Sequence, residues 1–337
     1  MLEIFIDKKE NQEKVALIEN GNLVEYYEED EETDRKEGNI YVGTVKDIIP
    51  GMQSAFIDIG TEKNGFIHLK DILPKVDEKN EKLELNLDIK KVIKPNQKLL
   101  VQIKKDSNDK KGARVSTHIN LPGKYIVLMP NTDFITISQK IEDKKEQERL
   151  VKLVKEHIGK GNGAIIRTSA VKKDKELIKD IELLQNKWKE IQEKYNQKIS
   201  QNNGDSLVYE SENIVDKMII DLVSEKIENI VTNNKAEYDK LIIEKNKMEE
   251  LSNTKISLEN KDVLDIYDIK KQIEKICNRK IWLKCGGFIT IDKTEALTAI
   301  DVNTGKYTGS KNLEQTLYKV NEEATVEIAK QLRLRDI

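Results

Sequence analysis

The chain has 337 residues, a formal net charge of −3, 35% charged residues and only 5% aromatic residues. That length accommodates several domains, and the slightly negative balance argues against a protein that grips nucleic acid through a general basic excess, so any such contact must come from local sites. No apolar run is long enough for a membrane-spanning helix, residues 1–7 read as a strand rather than a signal peptide, and Cys277 and Cys285 are not in a C-x-x-C pattern, which fits a reducing cytoplasm better than a disulfide or zinc framework.

Residues 2–6, 14–18 and 22–27 alternate or cluster as strands, and the acidic run 28–32 reads as a solvated linker. From Asn39 onward, strands are expected at 40–45, 54–60, 65–69, 99–104 and 114–117, with Pro50-Gly51 as a turn. Short strands with glycine turns predict a small barrel. The alternation sends Ala55, Ile57 and Ile59 inward, together with Ile67 and Leu69, and leaves Phe56, Asp58, Phe66 and His68 outside. Two outward phenylalanines on neighbouring strands suit the stacking of single-stranded bases, and Lys104, Lys105, Lys110, Lys111 and Arg114 are placed to follow phosphates. Ordinary core or interdomain phenylalanines are the alternative.

A strand at 124–130, a helix at 144–157 and a strand at 164–169 follow. The next helix carries Leu177, Ile181, Leu184, Trp188, Ile191 and Tyr195 at steps of four and three. That stripe is a packing face and implies no cofactor. Arg167-Thr168 at a strand end offers a guanidinium fork and a hydroxyl to a phosphate, a plain surface arginine being the alternative. Residues 202–205 read as a break. A strand, a helix from 214 to about 231, a polar stretch, a strand at 255–258 and a helix around 266–277 complete this region.

Near the C-terminal end, Leu297, Ala299, Asp301 and Asn303 fall on one side of a strand, with Thr298, Ile300 and Val302 on the other and a turn at Thr304-Gly305. A carboxylate and an amide oxygen projecting together suit a hard cation such as Mg²⁺. A polar strand end that merely opens a turn is the alternative.

Four blocks carry a resemblance. GGFITIDKTEALTAIDVNTG at 286–305, EIAKQLRLRDI at 327–337, LPGKYIVLMP at 121–130 and IRT at 166–168 resemble the ribonuclease E/G family, and the likeness runs in order through essentially the whole chain. It implies a multidomain α/β (α+β) fold. An RNase H-like domain would be split between 1–35 and 207–278. An S1 RNA-binding OB-fold domain would occupy 36–118, a 5′-sensor domain 119–206, and an incomplete DNase I-like catalytic subdomain 279–337. The implied activity is Mg²⁺-dependent endonucleolytic cutting of single-stranded, AU-rich RNA in RNA processing and decay, leaving a 5′-phosphate. The resemblance assigns RNA contacts to Phe56, Phe66 and Lys111, and a pocket for an RNA 5′-monophosphate to Gly123, Val127, Arg167 and Thr168. It makes Asp301 the metal ligand and gives Asn303 the orienting of water or phosphate. It also implies a second catalytic aspartate, a zinc-binding cysteine pair and an oligomerisation region beyond Ile337. The expectation is therefore the N-terminal part of a cytoplasmic, homo-oligomeric endoribonuclease, weakly active or inactive as it stands. A noncatalytic RNA-binding module acting through the S1 domain is the alternative from another class, and an α/β domain without a nucleic-acid role, favoured only by the net charge, is the third.

Overall fold

The computed structural model describes residues 1–10, 12–30, 35–72, 88–107, 111–201, 206–222, 226–248, 251–276, 278–294, 297–307, 313–335 and 337. They form two compact units, Met1–Asp34 with Glu225–Ile337, and Arg35–Ser224. The chain thus leaves its first unit after three strands and returns to it later. No helix of the described residues is long and apolar enough to cross a membrane.

Strands β1 (Leu2–Lys9), β2 (Gln12–Glu19) and β3 (Asn22–Asp30) form an antiparallel meander. The acidic run expected as a linker enters the third of these strands. Opposite Glu28 stands Lys14, 3.1 Å away, so the hairpin supplies a cation to a run expected as a solvated linker.

The second unit opens with β4 (Ile40–Ile49), β5 (Ser54–Asp58) and β6 (Gly65–His68), then a short α1 (Ile89–Val92), β7 (Lys98–Lys105) and β8 (Arg114–Ser116). These strands run in the order β4-β5-β6-β8-β7, and β7 pairs back onto β4, closing a five-stranded barrel. Ala55, Ile57, Ile59 and Ile67 are fully buried in it and Leu69 nearly so, as the alternation requires. Strands β9 (Leu121–Pro122), β10 (Ile126–Pro130), β11 (Ile135–Ile137) and β12 (Asn162–Ile166) make a separate sheet ordered β11-β12-β10-β9. Helices α2 (Lys144–His157) and α3 (Asp174–Gln201) pack on it. Leu177, Ile181, Leu184, Trp188 and Ile191 are buried against that sheet, with Tyr195 half-buried at the end of the stripe. Residues 202–205, expected as a break, lie outside the described residues. Strand β13 (Leu207–Tyr209) pairs with β4, and α4 (Ile214–Asp221) follows, capped by Asn213, whose side chain accepts from the Asp216 amide at 2.8 Å.

The helix expected from 214 to about 231 is not one helix. Its second half is β14 (Ile227–Thr232), which lies parallel between β1 and β15 (Lys255–Leu258). A strand enclosed by two neighbours loses the clean alternation of a half-exposed strand, and a short apolar run then cannot be told from a buried helix by period. The polar stretch expected next contains α5 (Lys235–Lys247), started by Asn234, which accepts from the Glu237 amide at 3.0 Å. Its apolar residues do not gather on one side: Leu241 is buried while Ile243 is exposed. The resulting five-stranded sheet has the order β15-β14-β1-β2-β3, and α6 (Ile269–Ile276) adds Ile269 to a core of Phe5, Ala16, Ile18 and Val231.

A smaller antiparallel sheet closes the first unit: β16 (Lys280–Trp282), β17 (Phe288–Lys293) and β18 (Thr298–Asn303). Helix α7 (Leu313–Leu334) covers one side of it, burying Ile289, Ile291, Val320 and Ala324. The other side carries the candidate site.

Candidate functional site

Register determines which side chains share the uncovered side of the small sheet. Lys280, Thr290 and Asp301 lie in one row across β16, β17 and β18, and Trp282, Phe288 and Asn303 lie in the next. Because paired residues point to the same face, all six belong to the side away from α7. Ile300 and Val302, one step out of phase, pack toward the core. The strand phase read from the sequence therefore holds.

Asp301 is exposed, and the Asn303 side-chain amide donates to its Oδ2 at 2.8 Å. The amide thus fixes one carboxylate oxygen and leaves the other toward solvent. The turn after Asn303 is tightened at Gly305, which adopts φ +58; a Cβ there would stand 2.6 Å from the Gly286 carbonyl oxygen. Lys306 N–H donates to that same carbonyl at 3.0 Å, tying the end of β18 to the turn before β17. A second carboxylate on this side, Asp292, is held by Arg279, which lowers its pKa and occupies both of its oxygens. Among the described residues no group of three or more His, Cys, Asp or Glu side chains gathers to hold a metal. The donor set at Asp301 fits a hard, oxygen-seeking ion that keeps most of its water and shares substrate phosphate oxygens; it does not fit a caged resident ion. Cys285 is a free thiol outside any such group, and Cys277 lies outside the described residues.

In the barrel, Phe56 and Phe66 face each other across β5 and β6, with ring centroids 6.0 Å apart and planes at 68°. Phe56 is 36% exposed and Phe66 half-buried, both outside a barrel filled from the opposite phase. Lys111 is exposed just before β8, whose Arg114 pairs in register with Phe66. Arg114, expected as a phosphate contact, is forked onto Asp71 at 3.0–3.2 Å instead. That partner lies 43 positions away, where no local pattern points to it. Lys104 donates to Gln102 at 2.6 Å, Lys105 is exposed, and Lys110 lies outside the described residues.

Of the four residues assigned to a phosphate pocket, Arg167 and Gly123 touch, at the end of the sheet where β9 and β12 finish and β10 begins. Val127 pairs with both Pro122 and Ile165 and is half-buried. Arg167 leaves the end of β12, its N–H bonded to the Tyr125 carbonyl at 2.8 Å and its Nη1 reaching the Gly123 carbonyl at 3.3 Å. Thr168 starts a single 3₁₀ turn and is half-buried. Gly123 must be small: a Cβ would fall 2.5 Å from Asp180 Oδ2 and 2.7 Å from Leu184 Cδ1. Sequence reasoning missed Asp180, which comes up from α3 beneath this turn and accepts from the Tyr125 and Ile126 amides at 2.8 and 3.3 Å. Burial pushes its carboxyl above the ordinary carboxylate value, against those bonds. It also missed Asp221 at the end of α4, whose carboxylate takes Arg167 Nη2 at 2.6 Å. No spacing rule joins positions so far apart.

Comparison with known proteins assigns both parts of the chain. Residues 34–118 match the S1 RNA binding domain and residues 120–337 the ribonuclease E/G family. Ribonuclease G of Salmonella typhimurium is 34% identical over 343 residues, covering 99% of this chain and 69% of that protein. Ribonuclease G of Escherichia coli is 34% identical over 344 residues with the same shares. Ribonuclease E of Buchnera aphidicola subsp. Schizaphis graminum is 34% identical over 345 residues, covering all of this chain but 35% of that longer protein. Matches that take in the Asp301 strand, the Arg167 edge and the barrel alike admit one assignment: the chain belongs to the ribonuclease E/G family.

Proposed function

We propose that the chain is an endoribonuclease for single-stranded RNA, and that its phosphodiester chemistry belongs to the uncovered side of the small sheet. The observation that carries this reading is the exposed Asp301 carboxylate oriented by Asn303 at a strand end. In this reading the small sheet with α7 is the DNase I-like subdomain, and the five-stranded sheet is the RNase H-like body. The barrel is the S1 domain, and the sheet bearing Arg167 is the 5′-sensor.

The roles follow from the side chains. The Asp301 carboxylate would be the protein group that holds a bound metal ion beside the scissile phosphate. Asn303 holds that carboxylate in place through its N–H, which keeps the free oxygen aimed outward. When bound, Mg²⁺ would supply water activation and neutralise charge building on the phosphate, with Asp301 as its protein ligand. Phe56 and Phe66 hold bases upstream or downstream of the cut, and Lys111 a phosphate. Arg167 and Thr168 take the RNA 5′-monophosphate, the guanidinium exchanging Asp221 for phosphate oxygens. A cytoplasmic setting follows from such a substrate.

The test is a cleavage assay on a short AU-rich RNA with a 5′-monophosphate, with Mg²⁺ or with excess chelator. Cutting that needs Mg²⁺, vanishes in Asp301→Asn and leaves 5′-phosphate ends supports the proposal. Cutting indifferent to Asp301→Asn overturns it, and so does RNA binding through the barrel with no cutting even when the chain is joined to the remaining part of its relatives' length; that second result favours a noncatalytic RNA-binding module.

A further inference from the structure

The row next to Asp301 holds two aromatic rings that neither composition nor motif singled out. Trp282 is 53% exposed, an unusual position for the largest side chain on a sheet. Its ring meets Phe288 edge-on, with centroids 5.3 Å apart and planes at 62°. Lys280 Nζ lies 4.2 Å from the Trp282 centroid and 3.6 Å from that of Phe288. Phe288 is the direct cross-strand neighbour of Asn303, and Lys280 lies in the same row as Asp301.

We infer that Trp282 and Phe288 form a base-stacking subsite for a nucleotide neighbouring the phosphate at Asp301. This rests on the proposed nuclease reading for its location, though not for its chemistry. Adjacent strands are about 4.8 Å apart, so the indole stands two strands, roughly 10 Å, from the Asn303 strand. That separation suits a nucleotide next to the reacting one and is too wide for direct contact with the reacting phosphate. Indole and phenyl faces accept any base, which matches a substrate class defined by being single-stranded rather than by a strict sequence. The lysine supplies the complementary charge: an exposed cation–π contact is weaker than a base–aromatic stack, so Lys280 yields the ring faces to a base and turns to the adjoining phosphate. Arg279 does not compete, because Asp292 already holds it.

The experiment uses the full chain and a series of AU-rich 5′-monophosphorylated RNAs. Each carries 2-aminopurine, or an abasic nucleotide, at one position along the strand. In wild-type protein one 2-aminopurine position near the cleaved bond should be quenched, and Trp282→Leu should remove that quench while Trp282→Tyr keeps it. Trp282→Leu should lower kcat/KM by roughly tenfold on intact RNA. On RNA already abasic at the quenched position it should cost almost nothing, since base and ring act as one contact. Additive losses, or a quench unaffected by Trp282→Leu, overturn the inference. A Trp282-dependent quench in a protein that never cuts would keep the stacking subsite and remove the nuclease reading; cutting with no Trp282-dependent quench would do the reverse. A shift in sedimentation of Trp282→Leu with the quench intact in both proteins would assign the ring to a contact between copies of the chain and overturn the subsite. Thermal melting of both variants within a few degrees of wild type confirms that the exposed ring, not the fold, was altered.

Discussion

The barrel and the small sheet each present a cross-strand aromatic pair, Phe56 with Phe66 and Trp282 with Phe288. Both pairs are edge-to-face, and both sit on the opposite phase from a filled core. Their electrostatic surroundings differ. Beside Phe66 the cation is Arg114, whose charge is committed to Asp71. Beside Trp282 and Phe288 it is Lys280, directly over the rings, with a carboxylate and an amide one strand further on. Under the proposed reading, the same stacking surface would serve two purposes: attachment where the nearby charges are internally balanced, and attachment next to the Asp301 oxygens where they are not.

The sharpest separation of the two regions is expected from Asp301→Asn. It removes one charge, keeps the shape and leaves an oxygen for the Asn303 amide. Cleavage should fall by about a hundredfold or more, as for loss of a group that acts on developing charge. RNA affinity and melting temperature should stay near wild type because Asp301 is exposed. If binding fell as much as cleavage, the small sheet would be an attachment surface like the barrel, and the contrast would disappear.

Phe56→Ala should do the opposite. Single-stranded RNA binding should weaken by about 1–3 kcal/mol with kcat at saturating RNA little changed. Fluorescence anisotropy against a short AU-rich RNA reads this directly. Melting should move little, since Ala55 and Ile57, not Phe56, fill the barrel. A large loss of stability with unchanged affinity would make Phe56 a structural residue and the barrel pair unlike the sheet pair.

How much of this was readable beforehand depended on the range of the interactions. Strand phase is local, so the inward and outward residues of β5, β6 and β18 followed from alternation alone. Alternation singles out Asp301 and the two barrel phenylalanines as outward residues, and the resemblance proposes their roles. Partners of arginines are not local. Asp71 for Arg114 and Asp221 for Arg167 lie 43 and 54 positions away, and only the folded chain unites them. The β14 strand was misread because enclosure between two strands erased its period. Trp282 escaped notice for a simpler reason: β16 has only three residues, too few to display any alternation.

The Arg167 edge offers an intermediate effect, free of aromatic stacking. RNA with a 5′-monophosphate should bind more tightly than its 5′-hydroxyl counterpart, and Arg167→Ala should abolish most of the difference. Asp221 is 64% exposed, so its bond to Arg167 is a weak competitor. Asp221→Ala should raise the preference for the monophosphate by roughly fivefold or less. Equal affinity of both RNAs for the wild-type chain would leave Arg167 as a purely structural link between Gly123 and α4.

The smallest effect is expected from giving the barrel what the small sheet already has, a cation released beside its rings. Asp71→Asn removes the charge that holds Arg114, while the Asp71 backbone carbonyl still accepts from Ser116 and Thr117, so the turn should survive. The lost ion pair is half exposed on the arginine side, and such pairs contribute about 0–1 kcal/mol to stability. Freed, the guanidinium next to Phe66 gains access to a phosphate of RNA stacked on the pair. Affinity should rise by a few-fold at low salt, and the plot of log K against log salt should steepen by about 0.7, the counterion release of one added single-strand phosphate contact. Kcat should not change, because nothing at Asp301 is touched. An unchanged slope would mean that RNA on the barrel passes beyond the reach of Arg114, and that the two aromatic pairs differ in the path of the strand rather than in the charge beside the rings.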